Sequence, residues 1–186
     1  YLTEPKMVYL SFPTEKGTLY SKQELQDIRD VCKKYGMFLF ADGARMGYGL
    51  GAKTNDLTLE DFAKLTDVFY IGGTKCGALF GEALVITNDA LKPDFRYHMK
   101  QRGAMLAKGR LLGLQFLAIL QEDRYLENAR HANALAQKMQ SGIEALGYSF
   151  LVKTPTNQIF PIFPNTLLEP LSQLYAFEVQ KPIDST

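Results

Sequence analysis

Short apolar runs alternate with amphipathic segments along the first half of the chain. The run Met7–Phe12 contains no acid or base, which predicts a short buried strand. Ser21 and Glu24 have the spacing of a capping box and predict the start of a helix, which we expect to stop at Gly36 in a left-handed conformation. One face of this helix is apolar and consists of Leu25, Ile28, Cys32 and Tyr35. A second strand follows at once and ends at Asp42, so the segment predicts a strand–helix–strand unit with parallel strands.

A shorter helix and two more strands continue the pattern. Thr58 and Asp61 have the spacing of a second N-cap pair, and the helix behind them carries apolar residues at helical intervals. The apolar runs Val68–Ile71 and Ala83–Ile86 predict two further strands, with a glycine-rich loop between them. Asn88-Asp89 indicates a cap on the helix that follows.

The second half of the chain has a helical composition over residues 104–146, with a break expected near residues 122–123. The apolar faces of this part are formed by Leu111, Leu114, Ile119, Leu135, Met139 and Ile143. Gly147 ends it, and a more β-like section that includes residues 158–163 follows. A short helical pattern then lies near residues 167–175.

Together these elements predict an α/β fold. We expect residues 1–146 to form part of a large domain with a mainly parallel sheet covered by helices. Residues 147–186 are expected to begin a smaller α+β domain. Because open α/β sheets bind ligands outside the carboxyl ends of their strands, the loops at those ends are the first candidates for a functional site.

Composition and charge exclude several classes of protein. The 186 residues include twelve phenylalanines and ten tyrosines, enough for a core, which argues against a disordered chain. The net charge of +1 comes from acids and bases spread along the sequence, so nucleic acid and anionic membranes are not the expected partners. No apolar run is long enough to cross a bilayer, and the start does not resemble a signal peptide. Two cysteines are too few for a disulfide framework, which predicts a cytoplasmic location.

The first candidate for chemistry is Lys75, which lies between glycines in the segment Gly72–Gly77, directly after an apolar run. Glycines let a ligand approach the backbone closely. A lysine in such a loop can leave bulk solvent, and desolvation makes an amine a better nucleophile towards a carbonyl group. Taken alone, the motif allows two interpretations, a Schiff-base lysine and an ordinary solvated charge.

The second candidate is the pair formed by Asp42 and Arg45. Asp42 closes an apolar strand, and Arg45 follows three residues later. This places the carboxylate at the strand end where α/β sheets bind their ligands. The alternatives are an N-cap aspartate and a plain ion pair between the two side chains.

These motifs, in this order and at this spacing, resemble the threonine aldolase and β-eliminating lyase family of fold-type I pyridoxal phosphate enzymes. The matching segments are Pro13–Thr18 with Tyr20-Ser21, Asp42–Arg45, Gly72–Lys75, Lys100-Gln101, Leu106–Arg110 and Asn128–Ala134. The resemblance covers about the first 150 residues and is looser beyond them. Several motifs in register are far more specific than any one of them alone.

The resemblance implies roles for four residues. Lys75 would form an imine with the aldehyde of pyridoxal 5'-phosphate. Asp42 would pair with the pyridine nitrogen and keep the ring protonated. Arg45 would lie near the cofactor hydroxyl or the substrate carboxylate, where a planar fork of donors suits an anion. Thr74 would donate a hydrogen bond near the cofactor, for example to its phosphate.

The implied reaction is cleavage of the Cα–Cβ bond of a β-hydroxy-α-amino acid, such as threonine or allo-threonine to glycine and acetaldehyde. The implied partners are a small amino acid substrate and further copies of the protein, as a homodimer or homotetramer. One alternative is another fold-type I enzyme, such as an aromatic amino acid β-eliminating lyase. Another alternative is a non-catalytic remnant that keeps only the sheet and an oligomer surface.

The base that acts on the β-hydroxyl group is not identified by the sequence. The only two histidines are His98 and His131, and structural roles are more typical of their helical surroundings. The basic residues that match the family text, Lys100, Lys108 and Arg110, are interpreted as surface or interface charges.

The chain also departs from the family pattern. Family members usually carry a stacking histidine and a phosphate cup before the first strand seen here, and a carboxylate-binding arginine near their C-terminus. We therefore expect a partial member whose isolated 186 residues are not a competent aldolase. Cys76 stands where relatives often have asparagine, and we expect it to be a small packed residue.

Overall fold

The computed structural model describes residues 3–180. The first part consists of β1 (Met7–Ser11), α1 (Lys22–Lys34), β2 (Phe38–Asp42), α2 (Met46–Leu50), α3 (Leu59–Leu65), β3 (Val68–Gly72) and β4 (Glu82–Ile86). The second part consists of α4 (Phe95–Gln101), α5 (Arg110–Leu120), α6 (Arg124–Ala145), β5 (Ser149–Phe150), β6 (Pro161–Ile162) and α7 (Asn165–Ser172). No helix within residues 3–180 combines the length and apolar character needed to cross a membrane.

The main sheet has the order β1-β2-β3-β4. β1 pairs with β2 and β2 pairs with β3 in parallel, whereas β4 pairs with β3 in the antiparallel direction. The register sets Ser11 at the end of β1 beside Asp42 at the end of β2. The predicted α/β class with a mainly parallel sheet is therefore confirmed, and the carboxyl ends of β1, β2 and β3 meet at one edge.

The core of the sheet lies on the face covered by α1 and α3. Phe12, Leu25, Leu39 and Phe62 are at most 1% exposed and form one cluster there. Burying one such side chain contributes about 1.5–3 kcal/mol relative to leaving it exposed. Both predicted capping boxes are present, at the start of α1 and of α3, so the sequence signals for these helices are confirmed.

The opposite face of the sheet carries a row of three aromatic rings. Tyr9 stacks on Phe40 with centroids 5.1 Å apart, and Phe40 meets the edge of Tyr70 at the same distance. Tyr9 is 52% exposed and Met7 is 51% exposed. The prediction that the whole run Met7–Phe12 is buried is therefore wrong for the described residues, because only alternate side chains of β1 face the covered side.

Two further predictions about helices need correction, and one helix was not predicted. Tyr35 does not lie on the buried face of α1, because the helix ends at Lys34 and Tyr35 is its exposed C-cap residue. The helical composition from residue 104 yields a helix only from Arg110, since Gly103 adopts a left-handed conformation and ends α4. The short helix α2 was not predicted, and its two internal glycines explain why propensity gave no signal.

The C-terminal elements match the sequence pattern more closely. The predicted break in the helical part lies at residues 121–123, where Glu122 has a positive φ. The helix α6 ends at Ala145, and Gly147 follows with φ of +89°. β5 and β6 then form a small antiparallel pair. The division of the chain into domains at residue 146 stays a prediction.

Candidate active site

A cleft of about 210 Å³ opens at the carboxyl ends of β1 and β2. Its lining consists of Ser11, Pro13, Glu15, Asp42, Ala44, Arg45 and Lys75. Three of the four predicted site residues therefore border one cleft, and the fourth, Thr74, is the neighbour of Lys75 in the chain. A larger cleft of about 340 Å³ near residues 18–24 contains none of them.

The Asp42 carboxylate is held by two donors. The Tyr9 hydroxyl donates a hydrogen bond to Oδ2, and the backbone N–H of Ala44 donates one to Oδ1 at 2.9 Å. The hydrogen bond to Asp42, together with burial and the nearby carboxylate charge, raises the pKa of Tyr9 to about 12. At neutral pH Tyr9 therefore remains a proton donor to Asp42.

Two glycines bring the aspartate loop and the lysine loop together. The backbone N–H of Gly72 donates to the carbonyl of Gly43 at 2.9 Å. A Cβ atom on Gly43 would lie 2.1 Å from the carbonyl oxygen of Tyr70, and one on Gly72 would lie 2.3 Å from that of Ala44. Glycine is thus required at both positions, because only a residue without Cβ permits this backbone approach.

The loop that carries Lys75 is closed by its own backbone. The N–H groups of Cys76 and Ala78 both donate to the carbonyl of Gly73, at 2.9 and 3.0 Å. The N–H of Gly73 donates to Glu82 at 3.0 Å, which ties the loop to the start of β4. The side chain of Lys75 is exposed, and no carboxylate within residues 3–180 lies within 4.0 Å of its Nζ. The amine is therefore available to a ligand.

Thr74 lies beside Lys75 but does not border the cleft. Its hydroxyl donates a long hydrogen bond of 3.4 Å to the carbonyl of Gly81, and its side chain is exposed. The proposed contact of Thr74 with a cofactor phosphate is left as a prediction.

Two tyrosines fix the lysine loop from the helical side. Tyr125 of α6 is 2% exposed and donates to the carbonyl of Gly72 at 2.8 Å, while it accepts from the N–H of Gly47 at 3.0 Å. Tyr48 of α2 donates to the carbonyl of Lys75. Burial raises the pKa of Tyr125 well above its usual range, so its hydroxyl remains protonated. The loop is therefore held by groups from β4, α2 and α6.

Cys76 is packed inside this arrangement. It is 3% exposed and belongs to a buried cluster with Tyr125 and Ile119. Burial raises the pKa of the Cys76 thiol, which keeps it in the neutral form. The expectation of a small packed residue at this position is confirmed.

Arg45 occupies the other side of the cleft. Its guanidinium lies 3.9 Å from the carboxylate of Glu15, and Glu15 in turn accepts a hydrogen bond from Ser11 at 2.9 Å. The alternative interpretation, an ion pair between Arg45 and Asp42, is not supported, because the carboxylate within 4.0 Å of the Arg45 guanidinium is that of Glu15. Arg45 therefore faces an exposed carboxylate.

The remaining candidates lie outside the cleft. The two histidines and the three basic residues of the family text are exposed and absent from the lining: His98, His131, Lys100, Lys108 and Arg110. Within the part of the chain that the structure describes, no three His, Cys, Asp or Glu side chains are grouped to hold a metal ion.

Four functional candidates were missed from sequence, namely Tyr9, Glu15, Tyr48 and Tyr125. Glu15 stands inside the quoted motif Pro13–Thr18, and its position after a strand end was a usable signal. The three tyrosines act through contacts 27 to 78 residues away in the chain, so no local pattern marks them.

Known proteins match most of the chain in sequence. The chain is 35% identical over 161 residues to a low specificity L-threonine aldolase of Pseudomonas aeruginosa, with 84% of this chain and 46% of the relative covered. It is 33% identical over 172 residues to the enzyme of the same name from a Pseudomonas species, with 90% and 49% covered. The chain thus spans about half the length of the curated relatives it matches.

Solved structures agree with the sequence comparison. A structure of threonine aldolase from Leishmania major superimposes with a TM-score of 0.93 at 48% identity, covering 96% of this chain and 52% of that one. A putative L-allo-threonine aldolase from Listeria monocytogenes shares the fold at 20% identity, with a TM-score of 0.63 and 84% and 44% covered. The β-eliminating lyase family matches residues 1–165, which include the whole cleft. On this match, the chain belongs to the β-eliminating lyase family.

Proposed function

We propose that the protein carrying this chain is an aldehyde-lyase that cleaves the Cα–Cβ bond of a β-hydroxy-α-amino acid. The β-eliminating lyases and the threonine aldolases depend on pyridoxal 5'-phosphate. The observation that carries the proposal is the single cleft bordered by Lys75, Asp42 and Arg45. The substrate class is taken from the threonine aldolases of Pseudomonas and Leishmania that the chain resembles.

The residues around the cleft fit this cofactor. An aldehyde requires an amine that is free of ion pairs, and Lys75 Nζ has no carboxylate within 4.0 Å in the described chain. A pyridine nitrogen requires a fixed carboxylate, and Asp42 is held on both oxygens. Arg45 supplies a planar cation for an anionic group of the cofactor or substrate.

When bound, the cofactor supplies an electron-withdrawing ring that accepts the electron pair released from the substrate. The protein's part is to position the reactants. Lys75 would hold the cofactor through Nζ, and Asp42 would pair with the ring nitrogen and keep it protonated. Arg45 would orient a carboxylate or hydroxyl at the mouth of the cleft, and Thr74 would donate a hydrogen bond beside Lys75.

The alternative functions have less support. A putative aromatic amino acid β-eliminating lyase and threonine aldolase from Exiguobacterium is 21% identical, which supports the common fold alone. A non-catalytic remnant does not require Lys75 to stay free beside a fixed Asp42, and both features are present here. Aldolase activity is therefore the preferred interpretation.

The proposal includes a small amino acid substrate, a homodimer or homotetramer, and a cytoplasmic location. Support for further copies comes from the leucines of α5, since Leu111, Leu114 and Leu117 are each more than half exposed. Support for a reducing compartment comes from the two cysteines, Cys32 and Cys76, which are both free and buried.

The function is tested by locating the cofactor and identifying the product. In the full-length protein, borohydride reduction should fix the cofactor on the peptide that contains Lys75. Lys75→Ala should abolish this attachment and lower kcat/KM for threonine by at least about a thousandfold, since the covalent anchor is lost. Lys53→Ala, which removes an exposed lysine outside the cleft, is the matched control and should change neither result.

Two results would contradict the proposal. Borohydride reduction that labels a lysine other than Lys75 would show that Lys75 does not bind the cofactor. Release of 2-oxobutyrate and ammonia from threonine, in place of glycine and acetaldehyde, would replace the aldolase with an eliminating lyase.

A further inference from the structure

We infer that Tyr9 is a positioning residue for Asp42, whose hydroxyl fixes the carboxylate in the orientation that the cofactor ring requires. The inference rests on the proposed function, because it concerns the same carboxylate. It adds a residue from β1 to a site whose predicted members come from the end of β2 and from the loops after β2 and β3.

The sheet places the two side chains together. Tyr9 is paired with Phe40 across the parallel β1–β2 register. Phe40 and Asp42 are two residues apart in β2, so their side chains lie on the same face of the sheet. The Tyr9 side chain reaches along this face and donates to Oδ2 of Asp42.

Both carboxylate oxygens of Asp42 therefore have a donor before any ligand arrives. Oδ1 accepts from the N–H of Ala44 at 2.9 Å, and Oδ2 accepts from Tyr9. The Ala44 contact is local, within the loop of Asp42 itself, and it cannot alone fix the rotation of the carboxylate. Each oxygen accepts more than one hydrogen bond, so these donors leave capacity for a protonated ring nitrogen.

The Tyr9 ring is itself held in place. It stacks on Phe40 at 5.1 Å with an interplanar angle of 12°, and Phe40 packs against the edge of Tyr70. The packing of the three rings therefore fixes the position of the Tyr9 hydroxyl. Because the pKa of Tyr9 is raised to about 12, chiefly by the hydrogen bond to Asp42, its hydroxyl keeps its proton and donates a hydrogen bond throughout the neutral pH range.

Loss of this hydroxyl should act on the rate. Without it, the Asp42 carboxylate can rotate about its last side-chain bond, and a displacement of about 1 Å at a reacting group can cost roughly a hundredfold in rate. Tyr9→Phe keeps the stacked ring and removes the donor alone. We expect it to lower kcat about tenfold, with KM for the amino acid substrate within about twofold of the unmodified protein.

The first experiment needs no bound cofactor. In the full-length protein freed of cofactor, tyrosine labelled with 13C at Cζ is followed by NMR between pH 8 and pH 11. The signal assigned by its loss in Tyr9→Phe should remain that of a protonated phenol up to pH 11. In Asp42→Ala, which leaves no acceptor, the same signal should titrate at lower pH, towards the ordinary tyrosine pKa of about 10. An unchanged signal in Asp42→Ala would overturn the contact.

The second experiment measures turnover of the loaded enzyme in a double-mutant cycle. Tyr9→Phe should lower kcat about tenfold in the unmodified background and should have no further effect in Asp42→Ala, because the acceptor of its hydrogen bond is already removed. Tyr35→Phe, which alters an exposed tyrosine at the end of α1, is the control and should leave kcat unchanged. Equal losses in both backgrounds would show that Tyr9 acts independently of Asp42 and would overturn the inference.

The two experiments separate this inference from the proposed function. If no cofactor attaches to Lys75, the proposed function fails, yet the NMR titration still reports on the Tyr9–Asp42 contact. If the cofactor attaches and Tyr9→Phe keeps full turnover, the proposed function stands and the role of Tyr9 is rejected.

Discussion

Buried side chains are distributed unevenly between the sheet region, residues 7–86, and the helical region, residues 95–172. Of the sixteen buried hydrophobic residues within residues 3–180, thirteen lie in the sheet region. The helical region contributes Ile119, Tyr125 and Ala129. Four of the five leucines of α5 have exposed fractions between 45% and 56%: Leu111, Leu114, Leu117 and Leu120.

The buried residues Ile119 and Tyr125 of the helical region pack against the loop that carries Lys75. Tyr125 bonds to both Gly72 and Gly47, and Asn133 donates to the carbonyl of Tyr48 at 2.9 Å. In the sheet region, by contrast, the core is continuous beneath the whole sheet. Packing in the sheet region therefore stabilises the fold and also fixes the geometry of the cleft. Packing in the helical region mainly holds the loops of the cleft in place.

The largest difference between the regions is expected for glycine substitutions. Gly43→Ala should destabilise the full-length protein by more than about 4 kcal/mol, because the new Cβ would lie 2.1 Å from a backbone oxygen of β3. Gly142→Ala, within α6, has nothing within 4 Å of its Cβ and should stabilise the protein by about 0.5–1 kcal/mol through helix propensity. Urea unfolding followed by circular dichroism measures both.

A tolerated Gly43→Ala would mean that the two loops do not approach as closely as described. The cofactor content of the variant sharpens the comparison, since Gly43 lies between Asp42 and the contact to Gly72. We expect Gly43→Ala to lose cofactor and Gly142→Ala to retain it.

The sequence predicted the two ends of the site for a physical reason. Asp42 and Lys75 each follow an apolar strand, and parallel strands bring their carboxyl ends to one edge, so local pattern and topology were sufficient. The Arg45 partner could not be predicted in the same way. Its distance to Glu15 depends on how the loop after β1 folds, which no spacing rule specifies.

The residues that support the lysine loop could not be predicted from the sequence, for a different reason. Tyr125 is separated from its acceptor Gly72 by 53 residues, and its importance depends on a helix packing that amphipathic pattern leaves undetermined. The α5 leucines illustrate the same limit, because periodicity identified an apolar face without showing that the described chain leaves it uncovered.

Truncation of leucines tests the burial contrast directly. Leu25→Ala, in the sheet region, removes a side chain that is 0% exposed and should cost about 2–5 kcal/mol in the free energy of unfolding. Leu114→Ala, in the helical region, removes one that is 53% exposed in the single chain and should cost less than about 0.5 kcal/mol at a protein concentration too low for further copies to associate. Chemical denaturation at one protein concentration provides the comparison.

The contrast in burial between the two regions would be contradicted if Leu114→Ala lowered the free energy of unfolding nearly as much as Leu25→Ala. Such a result would show that the α5 face is covered in the full-length protein. A cost that shrinks as the protein is diluted would assign the cover to another copy of the protein, because dissociation exposes the face in both variants.

The smallest effect concerns a buried acid of the sheet region, Asp67. Arg29 contacts its carboxylate at 2.6 Å, the N–H of Leu39 donates at 2.7 Å, and Asn88 donates at 2.8 Å. Burial opposes ionisation, but these hydrogen bonds outweigh it, so the pKa of Asp67 lies below its usual value. Asp67→Asn should therefore cost about 1.5–3 kcal/mol at neutral pH, the range for hydrogen bonds to a charged group.

The sign of the pH dependence follows from the lowered pKa. The stabilisation by ionised Asp67 is complete above the unfolded pKa of about 3.9 and is lost as the pH falls through the lower folded value. The difference in free energy of unfolding between the unmodified protein and Asp67→Asn should thus be constant from pH 7 to pH 5 and shrink below about pH 4. Asp89→Asn, which removes an exposed carboxylate paired with Lys92, is the control. A difference that persists undiminished at pH 3 would show that the charge of Asp67 does not stabilise the sheet region.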